Sequence, residues 1–151
     1  MIGWVNSHYS ATVYEDAYSP FCLIAERNED ADAIYEFLQN YCKQVPELSV
    51  VRNDVYARFC HVSFNKGSAL SEIARQLGVS SADTFAAGDH LNDLPMLARN
   101  HAHWLAAPAN AIAAVKAVVR EQNGHVSSLL CGHGVAEGLE FHLNNLATAN
   151  D

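Results

Sequence analysis

The sequence predicts an α/β fold in two unlike parts, with a parallel sheet and crossover helices in the second part. Between residues 21 and 64, a strand and a helix are followed by two adjacent strands joined by a polar turn at Asn53 and Asp54. After Lys66, strand and helix patterns alternate, which is the order that gives parallel strands. Half of the 151 residues are hydrophobic and 17% are charged, as in a folded domain. We expect one boundary, between a part covering residues 1–64 and a part covering 65–151.

The first part is predicted to contain strands around one amphipathic helix. Residues 1–20 are interpreted as a strand and a loop, and the apolar run FCLIA at 21–25 as a strand. An acidic opening then leads into a helix, and LSVVR at 48–52 and VYARFCHVSF at 55–64 follow as two strands. The apolar positions that indicate the helix are Ile34, Phe37, Leu38 and Tyr41.

The second part begins with a helix, a strand and an acidic loop. The helix ends at Gly78, as expected of a glycine just past an apolar stripe, and the strand covers Thr84 to Ala87. A short helix is predicted at 94–98. The helical stripe consists of Leu70, Ile73, Ala74 and Leu77.

Three further elements are predicted towards the C-terminus. HWLAA at 103–107 has the pattern of a strand, and NAIAAVKAVVREQ at 110–122 has that of a helix. The sequence GHG at Gly132 to Gly134 is interpreted as a turn before the last helix.

The charge of the chain argues against nucleic acid as a partner. The formal net charge is −8, and the lysines and arginines are scattered along the sequence. A surface of this kind repels phosphate backbones. A phosphorylated small ligand would therefore need a local cation, either a well-placed lysine or a bound metal.

The cysteines and the N-terminus indicate a cytoplasmic protein. The four cysteines are far apart and lack the spacing of a zinc site, so we expect free thiols in a reducing compartment. The sequence contains neither an apolar run long enough to span a membrane nor a basic segment followed by an apolar one at its start. We therefore expect no membrane partner.

The acidic loop after the strand at Thr84 to Ala87 is the main candidate site. Asp89, Asn92 and Asp93 follow the end of this strand, and ligands of parallel sheets bind at the carboxyl ends of strands. Mg²⁺ favours a few carboxylates together with water and substrate phosphate. The alternative is structural, because Asp89 could be a helix N-cap and Asp93 a favourable charge in a first helical turn.

The second part resembles the later half of a haloacid dehalogenase superfamily phosphatase, of the Cof-like, sugar-phosphatase branch. In that branch a lysine in "KG" opens a helix, and a strand leads into "GDxxND", as NKG and GDHLND do here. A segment like GVAEGL at 134–139 follows later. The resemblance covers residues 62 to 142. Residues 1 to 60 resemble, more weakly, the latter part of the α/β cap of this branch. The implied architecture is one half of the HAD-like Rossmannoid core plus part of a cap.

The resemblance implies a Mg²⁺-dependent phosphatase and assigns roles to four residues. Asp89 would ligate Mg²⁺, and Asp93 would hold metal-bound water or the loop itself. Lys66 would neutralise the nucleophile and the transferring phosphoryl group, and Asn92 would orient phosphate or Lys66. These roles agree with a reaction that depends on positioning and on cations. The alternative for Lys66 is a solvated lysine, although a helix start is a poor place for a cation.

The sequence departs from the family at the nucleophile. The family uses an aspartate in a D-x-D-x-[TV] motif at the end of its first core strand, and this motif is absent. The nearest string, DADAI at Asp30 to Ile34, opens a helix instead. We therefore expect a C-terminal fragment of a hydrolase of small phosphorylated metabolites or sugar phosphates, inactive alone. The alternative is a non-catalytic binding or regulatory module.

Two further expectations concern the strand edge and the histidines. Because the nucleophile strand would lie beside Thr84 to Ala87, we expect this edge to pair with another copy, with the missing segment, or with residues 1–20 folded back. His101 and His103 could pair on one strand face, but lone histidines near a surface are more often simple polar residues, and we expect the latter. His90 lies in the acidic loop and its role is left open.

Overall fold

The computed structural model describes residues 1–149, and these divide into two compact units, 1–64 and 65–149. The α/β class predicted from the sequence is confirmed, as is the parallel arrangement of strands in the second unit. Within residues 1–149, none of the helices is long and apolar enough to cross a membrane.

The first unit is an antiparallel sheet packed against helices. Its strands lie in the order β1, β2, β4, β3, and every neighbouring pair is antiparallel. The run FCLIA belongs to the interior strand β2, and all of its side chains except Ile24 are buried. The elements are α1 (Ile2–His8), β1 (Ala11–Asp16), β2 (Ser19–Ala25), α2 (Asn28–Cys42), β3 (Leu48–Asn53) and β4 (Tyr56–His61).

The core of the first unit lies between the sheet and the two helices. Val5 of α1 and the fully buried Ile34 and Leu38 of α2 pack with the inward side chains of β2, β3 and β4. Burying one aliphatic side chain of this size contributes about 1.5–3 kcal/mol. The hairpin between β3 and β4 turns at Asp54, whose φ of 52° is one that Asp and Asn tolerate better than most residues.

The second unit is a parallel three-stranded sheet with helices around it. The order is β5, β6, β7, and β5 pairs in register with β6 from Phe85 opposite Trp104 to Ala87 opposite Ala106. Its elements are α3 (Lys66–Leu77), β5 (Phe85–Ala87), β6 (Trp104–Ala107), α4 (Ala113–Glu121), β7 (His125–Val126) and α5 (Cys131–Ala149). Two 3₁₀ segments, Ser81–Asp83 and Leu91–Leu97, precede β5 and β6.

The start and end of α3 follow from local sequence signals. The Asn65 side chain accepts a hydrogen bond from the Ser68 N–H at 3.0 Å, and the Ser68 hydroxyl accepts one from the Asn65 N–H. This reciprocal cap fixes Lys66 as the first helical residue. Gly78 ends the helix with a φ of 67°, a conformation that glycine adopts without steric cost.

Three sequence predictions about the elements were wrong. Residues 2–8 form a helix rather than a strand or loop, because Val5 and Trp4 pack on the core of the first unit. Gly132 to Gly134 lie in the first turn of α5 rather than in a turn before it. The short helix predicted at 94–98 is the 3₁₀ segment Leu91–Leu97, which contains Pro95.

Candidate functional site

A cavity of about 370 Å³ opens at the carboxyl ends of β5 and β6. This volume is in the range of small-molecule sites, and the location is where parallel sheets bind ligands. Three of the sequence-predicted residues, Lys66, Asp89 and Asp93, line it. The other lining residues are Ala87, Gly88, Met96, Pro108, Cys131, Gly132 and Val135.

Asp93 connects the lysine to the acidic loop. One carboxylate oxygen, Oδ1, accepts a hydrogen bond from the Lys66 ammonium. The other, Oδ2, accepts the backbone N–H groups of Asp89 at 2.9 Å and His90 at 3.3 Å. The carboxylate is buried, whereas about half of the Lys66 side chain is exposed. Asp93 therefore fixes the loop and leaves the lysine facing the cavity.

The glycine before Asp89 is required by this arrangement. A Cβ atom built on Gly88 would lie 2.9 Å from Cγ of Asp93 and still closer to its Cβ. Real Cβ atoms do not approach other carbons so closely. Gly88 also donates its N–H to the carbonyl oxygen of Ala106 at 3.3 Å, which extends the pairing of β5 and β6 up to the loop.

The electrostatics of the site keep Asp93 ionised. Burial on its own raises the pKa of this carboxyl, because the charged form loses hydration. The Lys66 ammonium and the two backbone N–H groups outweigh that effect, so the pKa of Asp93 lies below its ordinary value. Asp93 is therefore negatively charged at neutral pH.

Asp89 has a different environment from Asp93. It is exposed, and its Oδ2 accepts a hydrogen bond from the side-chain amide of Asn110 at 3.2 Å. Asn110 also accepts the N–H of Cys131, at 2.6 Å, and so joins the loop after β6 to the first turn of α5. The Ile112 N–H donates to the backbone oxygen of Asp89 at 2.9 Å. Asp89 is thus held in position while its carboxylate stays open to the cavity.

Asn110 was not among the residues predicted from the sequence, although the sequence contains a signal for it. Asn110 follows the end of β6 by three residues, just as Asp89 follows the end of β5 by two. The strand-end rule that identified Asp89 applies equally to Asn110. Cys131 gave no such signal, because its place at the cavity depends on how α5 packs.

Two other residues of the acidic loop play different parts. Asn92 lies in the second 3₁₀ segment and is not one of the lining residues of the cavity. His90 is the N-cap of that segment, and its side chain accepts the Asp93 N–H in a reciprocal cap. The helix-cap alternative considered for Asp89 is thus realised by His90 instead.

The remaining candidates lie away from the cavity. Asp30 is in the first turn of α2, where Arg27 binds its carboxylate with N–O distances of 3.1 and 3.2 Å. His101 and His103 both precede β6 and do not share a strand face. His101 contacts α3, and the His103 ring contacts Arg99 and Trp104.

The donor set fits Mg²⁺ only in part. Proteins usually hold this ion through one or two carboxylates, with water and substrate phosphate as further ligands. Asp89 offers one exposed carboxylate, whereas both oxygens of Asp93 already have donors within the protein. Within residues 1–149, no group of three or more His, Cys, Asp and Glu side chains is placed to hold a metal ion. Among the described residues that line this cavity, Asp89 therefore provides the one carboxylate that is open to a metal ion.

Comparison with known protein families shows to which family this chain belongs. The sequence profile of the haloacid dehalogenase-like hydrolases matches residues 5–139. The chain belongs to the haloacid dehalogenase-like hydrolase family. The match begins in α1, so the family likeness extends through the first unit, where the sequence resemblance was weaker. Hydrolases of this family generally use Mg²⁺. No curated protein matches the chain.

Solved structures with the same fold include a haloacid dehalogenase-like hydrolase and two phosphatases. A haloacid dehalogenase-like hydrolase from B. subtilis is 26% identical with a TM-score of 0.60, over 77% of this chain and 38% of that one. The sucrose-phosphatase of a Synechocystis species, solved with sucrose and phosphate, is 12% identical with a TM-score of 0.67. The match covers 93% of this chain and 60% of that phosphatase. A HAD subclass IIB sugar phosphatase is 21% identical with a TM-score of 0.61. The match covers 81% of this chain and 42% of that phosphatase. The chain thus spans about half the length of these structures.

Proposed function

We propose that this chain carries the cavity-lining half of a Mg²⁺-dependent phosphate-ester hydrolase. The supporting observation is that the Lys66 ammonium and the Asp89 carboxylate open on one cavity at the ends of two parallel strands. Residues 65–151 would be the C-terminal half of the hydrolase core, and residues 1–64 part of its α/β cap. A cytoplasmic location belongs to the same proposal.

The four residues predicted from the sequence each have a role in this proposal. Lys66 binds a phosphate oxygen and offsets its negative charge, which is the main requirement of phosphoryl transfer. Asp93 keeps Lys66 and the loop in place, which is the second of the two roles that the family resemblance implied for it. Asp89 would hold Mg²⁺, which when bound neutralises charge on the phosphate oxygens. Asn92, which is not among the lining residues, would orient phosphate or Lys66, as the family resemblance implies.

The proposed substrate is a small phosphorylated metabolite, in particular a sugar phosphate. The similar structures include a sugar phosphatase and a phosphatase that holds sucrose and phosphate. A cavity of about 370 Å³ suits a phosphate group with a small organic part. The net charge of −8 disfavours nucleic acid, and no membrane partner is proposed.

One observation favours a second candidate, a binding or regulatory module without catalysis. Forming a phospho-enzyme needs an aspartate nucleophile. The only D-x-D string resembling the family motif lies in α2, where Arg27 already binds Asp30. The chain by itself is therefore proposed to bind phosphate without hydrolysing its esters.

Hydrolysis assays distinguish the two candidates. With Mg²⁺, p-nitrophenyl phosphate and a panel of sugar phosphates, we expect no turnover by the chain alone. If the reading frame before Met1 encodes D-x-D-x-[TV], the longer product should hydrolyse phosphate esters and lose activity with Asp89→Asn but not with Asp83→Asn. Turnover by the chain alone that Asp30→Asn abolishes would overturn the assignment of the site. An inactive longer product would favour the binding module.

A further inference from the structure

His101 and Pro95 pack closely against the first turn of α3, outside the cavity. Gly67, the second residue of this helix, is buried. A Cβ atom built on it would lie 2.5 Å from the carbonyl oxygen of Pro95 and 2.8 Å from Cδ2 and Nε2 of His101. Because these separations are too short for any real Cβ, only glycine lets the imidazole and the carbonyl lie against the helix backbone here.

His101 also contacts the next turn of the same helix. Its Nδ1 lies 2.6 Å from the hydroxyl oxygen of Ser71, within hydrogen-bond distance. Ser71 follows Gly67 by four residues, so the two lie on one face of α3. Nε2 of His101 is in turn 3.2 Å from the side-chain amide nitrogen of Asn100. The ring therefore contacts two successive turns of one helix face, which restricts both the rotation and the axial shift of α3.

The orientation of this helix decides where Lys66 points. Lys66 directly precedes Gly67, and successive residues of an α-helix are separated by about 100° around the axis. A rotation of the first turn would therefore swing the lysine away from Asp93, whose carboxylate its ammonium binds. The cap formed by Asn65 and Ser68 fixes where the helix begins, but not its rotation against the second 3₁₀ segment.

We propose that His101 is a positioning residue for Lys66. Its ring, lying over Gly67 and bonded to Ser71, orients the first turn of α3 so that the Lys66 ammonium stays on Asp93 and faces the cavity. The functional meaning of this contact rests on the proposed function, in which Lys66 binds phosphate. The contact itself does not depend on that function.

Competitive acylation of the full chain tests the proposal. With a trace amount of acetic anhydride, mass spectrometry gives the labelling rate of Lys66 relative to the other two lysines, Lys43 and Lys116. In His101→Ala we expect this ratio to rise about threefold or more, since an amine released from a part-buried ion pair is freer to react. His101→Asn should restore the ratio, because its amide can still bond Ser71.

The matched control for His101→Ala is the variant His103→Ala. His103→Ala changes the other histidine of the same segment and should leave the ratio unchanged. A normal ratio in His101→Ala, with only a lower unfolding temperature, would overturn the proposal and leave His101 a merely structural residue. If His101→Ala does not fold, Ser71→Ala provides the same comparison. We expect the labelling ratio of Lys66 to rise in this variant, and an unchanged ratio would contradict the proposal. Because the assay uses neither phosphate nor Mg²⁺, its result is distinguishable from a failure of the proposed function.

Discussion

The geometry of the site depends most on Asp93, whose carboxylate binds Lys66 and the loop. In Asp93→Asn, an amide would face the Lys66 ammonium and two backbone N–H groups with one oxygen instead of two. We expect the free energy of unfolding to fall by about 1–3 kcal/mol, the usual effect of leaving buried partners unpaired. Asp83→Asn, in the exposed 3₁₀ segment before β5, should change it by less than about 0.5 kcal/mol. Urea denaturation of both variants measures the difference, and equal effects would contradict the account.

The same residue predicts an acid dependence of stability. The pKa of Asp93 is lower in the folded chain than the ordinary value of 3.8, so the unfolded chain binds its proton more readily. The stabilisation is complete above pH 3.8 and is lost as the pH falls through the folded value. The wild-type chain should therefore lose more stability than Asp93→Asn between pH 5 and 2.5. Parallel curves of unfolding free energy against pH would contradict this.

Gly88 gives a prediction from packing alone. Alanine at this position would place a Cβ in collision with Asp93, so the loop or the carboxylate must shift. We expect Gly88→Ala to lower the free energy of unfolding by about 1–3 kcal/mol, the range of overpacked sites. Gly132→Ala, whose added Cβ meets nothing within 4 Å, is the matched control and should be near neutral. Comparable losses in both variants would show that the collision is relieved at little cost.

At the scale of elements, β5 is an edge strand of its sheet. Within the described residues it pairs only with β6, and β1 pairs with β2. The C=O of Thr84 and the N–H of Gly88 bond β6. Because polar groups alternate sides along a parallel strand, those of Phe85 and Ala87 point away from β6. Because an uncharged edge with unpaired groups invites pairing with another strand, we predict that β5 pairs with β5 of a second copy of the chain.

Two proline variants test this self-association. Ala87→Pro removes an N–H that bonds nothing in β6, so it should weaken association about tenfold, ~1.4 kcal/mol, with little loss of stability. Ala86→Pro removes an N–H directed at β6 and should lower the unfolding temperature instead. Sedimentation equilibrium and thermal unfolding measure the two effects. A wild-type chain that stays monomeric at high micromolar concentration would contradict the self-association. Slow hydrogen exchange of the amides of Phe85 and Ala87 in that monomer would show that another segment covers the edge.

For the whole molecule, the sequence was most informative where local signals agree with tertiary packing. The amphipathic stripe and Gly78 predicted α3, and FCLIA predicted β2. The two-residue strand β7 is too short to show a period, and it exists because it extends the sheet beside β6. The helix α1 has no side-chain cap hydrogen bond, so its formation depends on packing that the sequence does not display.

In the candidate site too, some features could be predicted from the sequence and others could not. The places of Asp89 and Asp93 at the cavity could be predicted, because Asp89 follows β5 by two residues and both match the family motif. The bond between Lys66 and Asp93 joins residues 27 positions apart, and the contact of His101 with Gly67 depends on how α3 packs. Contacts of this kind arise only when distant elements meet, so no local pattern could have revealed them.

The central claim is that the cavity between Lys66 and Asp89 binds phosphate, and a titration tests it directly. Amide signals of the ¹⁵N-labelled chain are followed by NMR during addition of inorganic phosphate, with and without Mg²⁺. We expect shifts at Gly88, Asp89 and Gly132, tighter binding with Mg²⁺, and binding weakened about tenfold or more in Lys66→Met, because charge-assisted hydrogen bonds to phosphate are lost. Lys43→Met should bind as the wild type does. Shifts that fall elsewhere, or that are the same in Lys66→Met, would contradict the account.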